Sequence, residues 1–428
     1  MMIKIYRNKE IDDFLKRFDS RRLEIVKDVE ESVADILANV RDRGDEALFE
    51  YALRFDGVDF NKKSLEVSRA ELKTAHKEID ENLLNILRQS GENIRRFHQK
   101  GAPRSWLTWE EDGVVLGQRV LPLQRVGVYV PGGRAAYPSS LIMGVVPAQV
   151  AGVEEIVVVT PCDAEGNVNA TILATAYELG VDRVFRIGGA HAVAALAYGT
   201  ESIPRVEKIV GPGNIYVATA KKLLYGQCGI DMVAGPSEVT IIADDSADPG
   251  IIAADLLAQA EHDPLASSIL LTNSETLAEK VVVNVAEQVA GLSRQEIIKS
   301  SLANYGGIIL THTLEQSIAL CNDIAPEHLG LHVRDPWTLM GKIRNAGAIF
   351  LGSYAPETVG DYWAGPNHIL PTNGSARFFS PLRTDDFVKV SSVISYTKEA
   401  IEKNGEKIMA FANAEGLDAH ANAIKKRM

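Results

Sequence analysis

An α/β fold with parallel sheets is the class this sequence predicts, together with a helical N-terminal region and a small C-terminal tail. Two observations predict it. Beyond about residue 114, short β-branched runs alternate with helical segments. Those runs are almost continuously apolar, as strands covered by helices on both faces must be. So many strands exceed one compact sheet, which predicts two βαβ-type domains with a seam near residue 235, where "AGPSE" breaks the rhythm.

Taken in order, residues 1 to about 100 read as mostly helical. Ile25, Val29, Val33, Ile36 and Val40 form a stripe at helical spacing, and Gly44 stands where a helix ends. "ENLLNILRQSGENIRRF" continues in the same style. The predicted strands are "VGVYV" (126–130), "EIVVVT" (155–160), "RVFRIGG" (183–189), "EKIVG" (207–211), "EVTIIAD" (238–244), "SSILLT" (267–272), "GGIILT" (306–311), "GLHV" (330–333) and "AGAIFLG" (346–352). Between the fifth and sixth lies "DPGIIAADLLAQAEHDPLASS", where Ile252, Leu256 and Ala260 keep helical spacing. Asp263-Pro264 stops that helix, because proline lacks an amide hydrogen and biases its predecessor away from the α region. Beyond about residue 375 the alternation is lost, and the chain ends in short, charged helices.

The 428 residues carry 45 basic and 57 acidic side chains, a net charge of −12, which argues against nucleic acid as partner. No apolar run approaches a membrane span, and "MMIKIYRNKEIDDFLKRF" lacks the features of a secretory signal, so a cytoplasmic location is expected. Cys162, Cys228 and Cys321 are far apart, which gives neither a disulfide framework nor a thiolate metal site.

Glycine-rich junctions after strands let a backbone approach phosphate and aim a helix N-terminus at it. Three occur in succession: "YVPGGRAAYPSS" (129–140), "RIGGAHAVAALAYGT" (186–200) and "VGPGNIYVATAKK" (210–222). Each alone could be an ordinary tight turn; together they point to a nucleotide-type ligand. There is no GxxxxGK[ST], so a P-loop nucleotide hydrolase is not expected.

Gln259 and His262 are three residues apart and share one face of their helix's last turn. Taken alone, His262 could simply cap the helix. Further imidazoles and carboxylates appear as Glu327-His328, Asp361 with His368, and Glu415 with His420. This donor mixture suits Zn²⁺ or a similar borderline metal, with Gln259 as a competent oxygen ligand. The alternative is that each histidine is a satisfied surface or core residue. The last segment, with Ala412, Ala414, Ala419 and Ala423, is too small to fold alone. It must dock on its own subunit or on a partner.

The chain resembles the histidinol dehydrogenase family from about residue 20 to 425. The resemblance is carried by "VGVYVPGG", "IGGAHAVAALAYGT", "KIVGPGN", "AGPSEV", "LLAQAEHDP", "APEHL", "GDYWAGPNHILPT", "ARFFSPL" and "AEGLDAHANA". It implies a four-electron oxidation of L-histidinol to L-histidine with two NAD⁺, one Zn²⁺ per subunit, and a domain-swapped homodimer. It also implies two incomplete Rossmann-like domains. Residues 1–125 with 238–375 would carry most of the zinc and substrate residues. Residues 126–237 would bind NAD⁺, and 376–428 would be swapped onto the partner. Gln259, His262 and Asp361 would ligate zinc, with His420 of the partner subunit as fourth ligand. Ser237, His368 and Glu415 would contact substrate, Glu327 and His328 would be catalytic, and Tyr129 and Asn214 would contact NAD⁺. The family commonly has Gln where this chain has His191, whose ring can still donate to a ribose or phosphate oxygen.

The chemistry asks for such residues. Removing a hydride from an alcohol needs a base for the hydroxyl proton, a task suited to His328. Carrying the aldehyde to the acid needs an activated water, a task suited to Glu327. Neighbours on a regular strand face opposite ways, so both can serve one site only if the backbone at Pro326-Glu327-His328 is irregular. A thioester route would need a cysteine, and Cys321 lies in an apolar helical stretch that reads as core. Zinc would orient the substrate. Two rivals are a relative acting on another polar alcohol, such as a sulfonated diol, and a zinc hydrolase. The pair His368 and Glu415 favours histidinol over the first, and the glycine turns oppose the second.

Overall fold

The apolar runs assemble into two parallel sheets, each covered by helices on both faces; a third, antiparallel sheet lies outside them. The computed structural model describes residues 3–20, 27–61, 63–132 and 136–428. The larger sheet has six strands in the order Ile5–Tyr6, Gly306–Leu310, Ser267–Thr272, Glu238–Ala243, His328–His332 and Ala348–Leu351, all parallel. Its faces bury two cores. Helices Pro249–Ala260, Glu275–Val289 and Gln295–Tyr305 cover one, and helices Lys9–Ser20 and Leu314–Ile324 the other.

The second sheet is also parallel, in the order Arg183–Phe185, Glu155–Val159, Arg125–Tyr129, Lys208–Val210 and Gly229–Ile230. Helix Pro138–Ala151 packs on one face and is buried continuously from Ser140 to Ala148. Helices Gly189–Tyr198 and Ile215–Leu224 pack on the other. The chain leaves this sheet after Ile230 and enters the six-stranded sheet at Glu238.

Val33, Ile36 and Val40 of the expected stripe are buried, while Ile25 lies outside the described residues, as do 133–135 of the first glycine junction. Helix Lys27–Arg43 ends at Gly44, whose φ of 55° breaks it from helix Asp45–Phe55. Here the structure departs from the expected grouping of residues 1–125 with 238–375. Both helices contribute to the core of the five-stranded sheet, because their apolar stripe meets Ala192, Val193 and Leu196 of helix Gly189–Tyr198.

The third sheet pairs Val115–Pro122 with Trp106–Trp109 on one side and with Val388–Ser395 on the other, antiparallel throughout. The expected loss of strands after residue 375 is thereby corrected. "VKVSSVIS" breaks its alternation at Ser391-Ser392 and Val393-Ile394, and none of its residues is buried, so it lacks the continuous apolar run of a covered strand. Helix Lys398–Ala414 follows and packs on Glu111–Gly113 and on helix Asp418–Lys425. This arm keeps Trp109 (72% exposed), Ile394 (70%) and Phe411 (71%) in the open. No helix of the described residues is long and apolar enough to cross a membrane.

Candidate active site

Parallel pairing sets up the site's centre. Val239 is in register with His328, so the first residues of two neighbouring strands, Glu238 and His328, lie side by side. His328 Nδ1 sits 3.1 Å from the Glu238 carbonyl oxygen, and Glu327 Oε2 accepts the Glu238 N–H at 2.9 Å. Glu327 and His328 therefore converge on the backbone of one residue, Glu238, with His328 Nδ1 and Glu327 Oε2 3.7 Å apart. The required irregularity is present, and it begins one residue before the proline. Ala325 takes a left-handed conformation (φ 51°), and Glu327 lies just outside the strand.

The contact to a carbonyl oxygen makes Nδ1 the donor, so Nε2 of His328 carries the lone pair. That Nε2 is buried and has no hydrogen-bond partner among the described residues. Burial holds the ring's pKa down at about 3, which keeps it neutral at working pH.

Helix Pro249–Ala260 ends beside this pair, as Asp263-Pro264 requires. Gln259 is wholly buried in its last turn, and His262 stands two residues beyond it, exposed at the opening. Asp361 comes from helix Glu357–Tyr362. One ligand atom each from His262, Asp361 and Glu357 lie within 4.8 Å of one another, a spacing that fits a metal ion. Burial raises Asp361 to about 6 and Glu357 well above the usual carboxylate range, the latter also through repulsion by Asp361, Glu327 and Asp255. A cation among them would relieve that penalty.

His368 Nδ1 lies 3.2 Å from the Asp361 carbonyl oxygen and its Nε2 3.5 Å from Ser140 Oγ. Burial lowers its pKa to about 4. Ser237 immediately precedes the central strand, and its carbonyl accepts the Ser267 N–H at 3.0 Å. Glu415 and His420 are not brought to this group within one chain. Both are exposed on the C-terminal arm, at the end of helix Lys398–Ala414 and in helix Asp418–Lys425.

The glycine junctions gather at the carboxyl ends of the five-stranded sheet. Tyr129 ends its strand and accepts the Gly189 N–H at 3.1 Å; burial pushes its phenol up to about 12. Asn214 is exposed and caps helix Ile215–Leu224, its Oδ1 accepting from the Tyr216 and Val217 N–H groups. The structure does not present the His191 ring on the surface. It is buried between Tyr51 and Phe55, with Nε2 3.9 Å from Asp56 Oδ2, and burial lowers its pKa to about 4. A cleft of about 360 Å³ opens nearby, lined by Pro131, Gly132, Thr160, Pro161 and Cys162 among others. Cys321 is fully buried in helix Leu314–Ile324, as expected of a core residue.

Sequence reasoning missed Glu357. Its signal was present in "PETVGDY": Glu357 and Asp361 are four residues apart and share a helix face.

Comparison with known proteins bears on this arrangement. A family model described as histidinol dehydrogenase matches residues 19–428. A histidinol dehydrogenase of Halalkalibacterium halodurans is 54% identical, covering 93% of this chain and 93% of its own. One of Carboxydothermus hydrogenoformans is 50% identical over 100% of this chain and 99% of its own. The crystal structure of histidinol dehydrogenase from Elizabethkingia anophelis superposes with a TM-score of 0.94 at 35% identity, covering 100% and 98% of the two chains. An acetylating aldehyde dehydrogenase from Geobacillus thermoglucosidasius shares the fold alone, with a TM-score of 0.50 at 14% identity over 91% and 97%.

Proposed function

This chain belongs to the histidinol dehydrogenase family, and on that premise we propose that it oxidises L-histidinol through L-histidinaldehyde to L-histidine, using two NAD⁺. It is an oxidoreductase of histidine biosynthesis. The donor set fits a borderline divalent cation: a carboxylate, an imidazole and an amide oxygen from Asp361, His262 and Gln259. His420 of the partner subunit completes the set in a homodimer, and the exposed apolar residues of the C-terminal arm support such docking. Bound zinc would supply an anchor that orients the substrate's nitrogens, and bound NAD⁺ the hydride acceptor for both oxidations.

This chain's own residues do the proton work. His328, held by its Nδ1–H on the Glu238 carbonyl, offers Nε2 to the substrate hydroxyl proton while hydride leaves carbon. In the second oxidation, water adds to the aldehyde and Glu327 takes a proton from it. The peptide N–H of Glu238 orients the Glu327 carboxylate for that role. Ser237 and His368 line the substrate space, with Glu415 arriving on the partner's arm beside its histidine. Asn214 meets the dinucleotide at the surface of its glycine turn, while Tyr129 and His191 shape the neighbouring turn from beneath.

The single observation that carries this reading is the buried Nε2 of His328, without a hydrogen-bond partner among the described residues, beside Glu327 and the prospective metal ligands. The experiment is a stoichiometric one. Incubated with L-histidinol and excess NAD⁺, the protein should yield two NADH per histidine. One NADH per turnover, with aldehyde accumulating, would sink the role given to Glu327.

A further inference from the structure

An amide is an ambiguous metal ligand, because its oxygen coordinates and its nitrogen does not. Gln259 is wholly buried, so nothing in solvent settles which end it offers. Its neighbour settles it. In the amide orientation that satisfies both groups, Gln259 Nε2 donates to Glu357 Oε1 at 3.0 Å and Oε2 at 3.1 Å. The opposite orientation would set amide oxygen against carboxyl oxygens. Glu357 is buried at the first turn of helix Glu357–Tyr362, with Oε1 3.8 Å from His328 Nδ1, and it reaches the prospective base as well. Behind it lie Asp255, one helical turn before Gln259, and His332, whose Nε2 is 3.3 Å from Asp255 Oδ2. Glu357, Asp255 and His332 line one small cavity.

We propose that Glu357 is a positioning residue of the metal site: by accepting from the Gln259 amide nitrogen with both carboxyl oxygens, it turns the amide oxygen toward the cation. Metal affinity falls steeply when such supporting partners are lost. The inference rests on the reading of Gln259 as a zinc ligand.

The test is zinc affinity of the purified full-length protein, measured by titrating zinc against a chromophoric chelator, with circular dichroism as a check on folding. Glu357→Leu should weaken zinc binding about 10- to 100-fold. Glu357→Gln, which keeps an acceptor oxygen, should stay within about threefold of the parent. In a Gln259→Ala background, Glu357→Leu should add nothing further. A reciprocal exchange covers the case in which Glu357→Leu does not fold: Gln259→Glu alone sets two carboxyl groups against each other, and adding Glu357→Gln should restore affinity. Unchanged zinc binding in Glu357→Leu, or no restoration by the exchange, overturns the proposal. Equal losses in Glu357→Leu and Glu357→Gln, with full additivity on Gln259→Ala, would make Glu357 itself a donor and overturn it too. If Gln259→Ala leaves zinc affinity untouched, the underlying assignment of Gln259 fails first, and the two failures are told apart.

Discussion

The two parallel sheets offer opposite edges to their candidate ligands. In the five-stranded sheet the glycine turns follow the carboxyl ends of strands, and helices Gly189–Tyr198 and Ile215–Leu224 start there. Helix starts carry partial positive charge, which suits a phosphate-bearing cofactor. In the six-stranded sheet the functional residues sit at the amino ends, where Glu238 and His328 begin their strands. Helix Pro249–Ala260 finishes there, presenting Gln259 and then His262. A helix finish carries partial negative charge, which suits a cation. One architecture thus presents helix starts at one edge and a helix finish at the other, and at the second the backbone dipole agrees with the carboxylates of Asp361 and Glu357.

The largest expected effect breaks one edge and spares the other. His328→Asn should lower kcat by about 10²- to 10⁴-fold, the usual span for a lost general base. Zinc content and NAD⁺ affinity should hold. Comparable loss of NAD⁺ binding would show that the edges are not independent. Next, the metal edge is expected to be shared between subunits and the glycine edge not. Mixing Gln259→Ala with His420→Ala protomers, each inactive alone, should restore about a quarter of parental activity, because half the dimers are mixed and each mixed dimer holds one intact site. No recovery would count against sharing.

Gly211→Ala tests the other edge. Its φ is +113°, and an added Cβ would lie 2.1 Å from the Tyr129 carbonyl oxygen. The buried Lys221–Asp231 pair grips the same turn from both sides: Lys221 donates to the Gly211 carbonyl, and Asp231 accepts the Gly211 N–H. The substitution should cost roughly 3 kcal/mol or more of stability and weaken NAD⁺ binding, leaving zinc affinity alone. Calorimetry and dinucleotide titration check this.

The smallest effect concerns acid. His191 is held near pKa 4 by burial, below its ordinary 6.5. The unfolded chain therefore binds more protons than the folded one in that window. Its contribution to stability is complete above about pH 6.5 and is lost as pH falls toward 4. His191→Gln should reduce the stability lost between pH 7 and pH 5 by about 2 kcal/mol, read from urea melts. An unchanged difference would mean that the ring is wetter than its surroundings imply.

How legible all this was in the sequence depended on the range of the interactions. Gln259 and His262 could be paired on sight, since their helix and its proline stop are local. The adjacency of Glu327 and His328 was obvious, but their convergence was not. It depends on Glu238, a residue about ninety positions away that only parallel pairing brings near. Glu357 escaped for the same reason, its partner Gln259 lying on a different element. His191 was legible as a departure from the family pattern, and its burial by Tyr51 and Phe55 was not, because the helix that covers it was expected to side with the other sheet. The antiparallel sheet was hidden because its outer strands lie in the open and carry neither a continuous apolar run nor a regular alternation.

The order in which strands meet constrains the nascent chain. All strands of the five-stranded sheet fall between Arg125 and Ile230, so it can assemble while the ribosome is still translating. The Ile5–Tyr6 strand must wait for its partner Gly306–Leu310, and Val115–Pro122 must keep one edge open until Val388–Ser395 emerges. Truncations that remove Val388–Ser395 should therefore leave a bare edge on Val115–Pro122 open to pairing with other chains, a hazard of aggregation and not merely of lost activity.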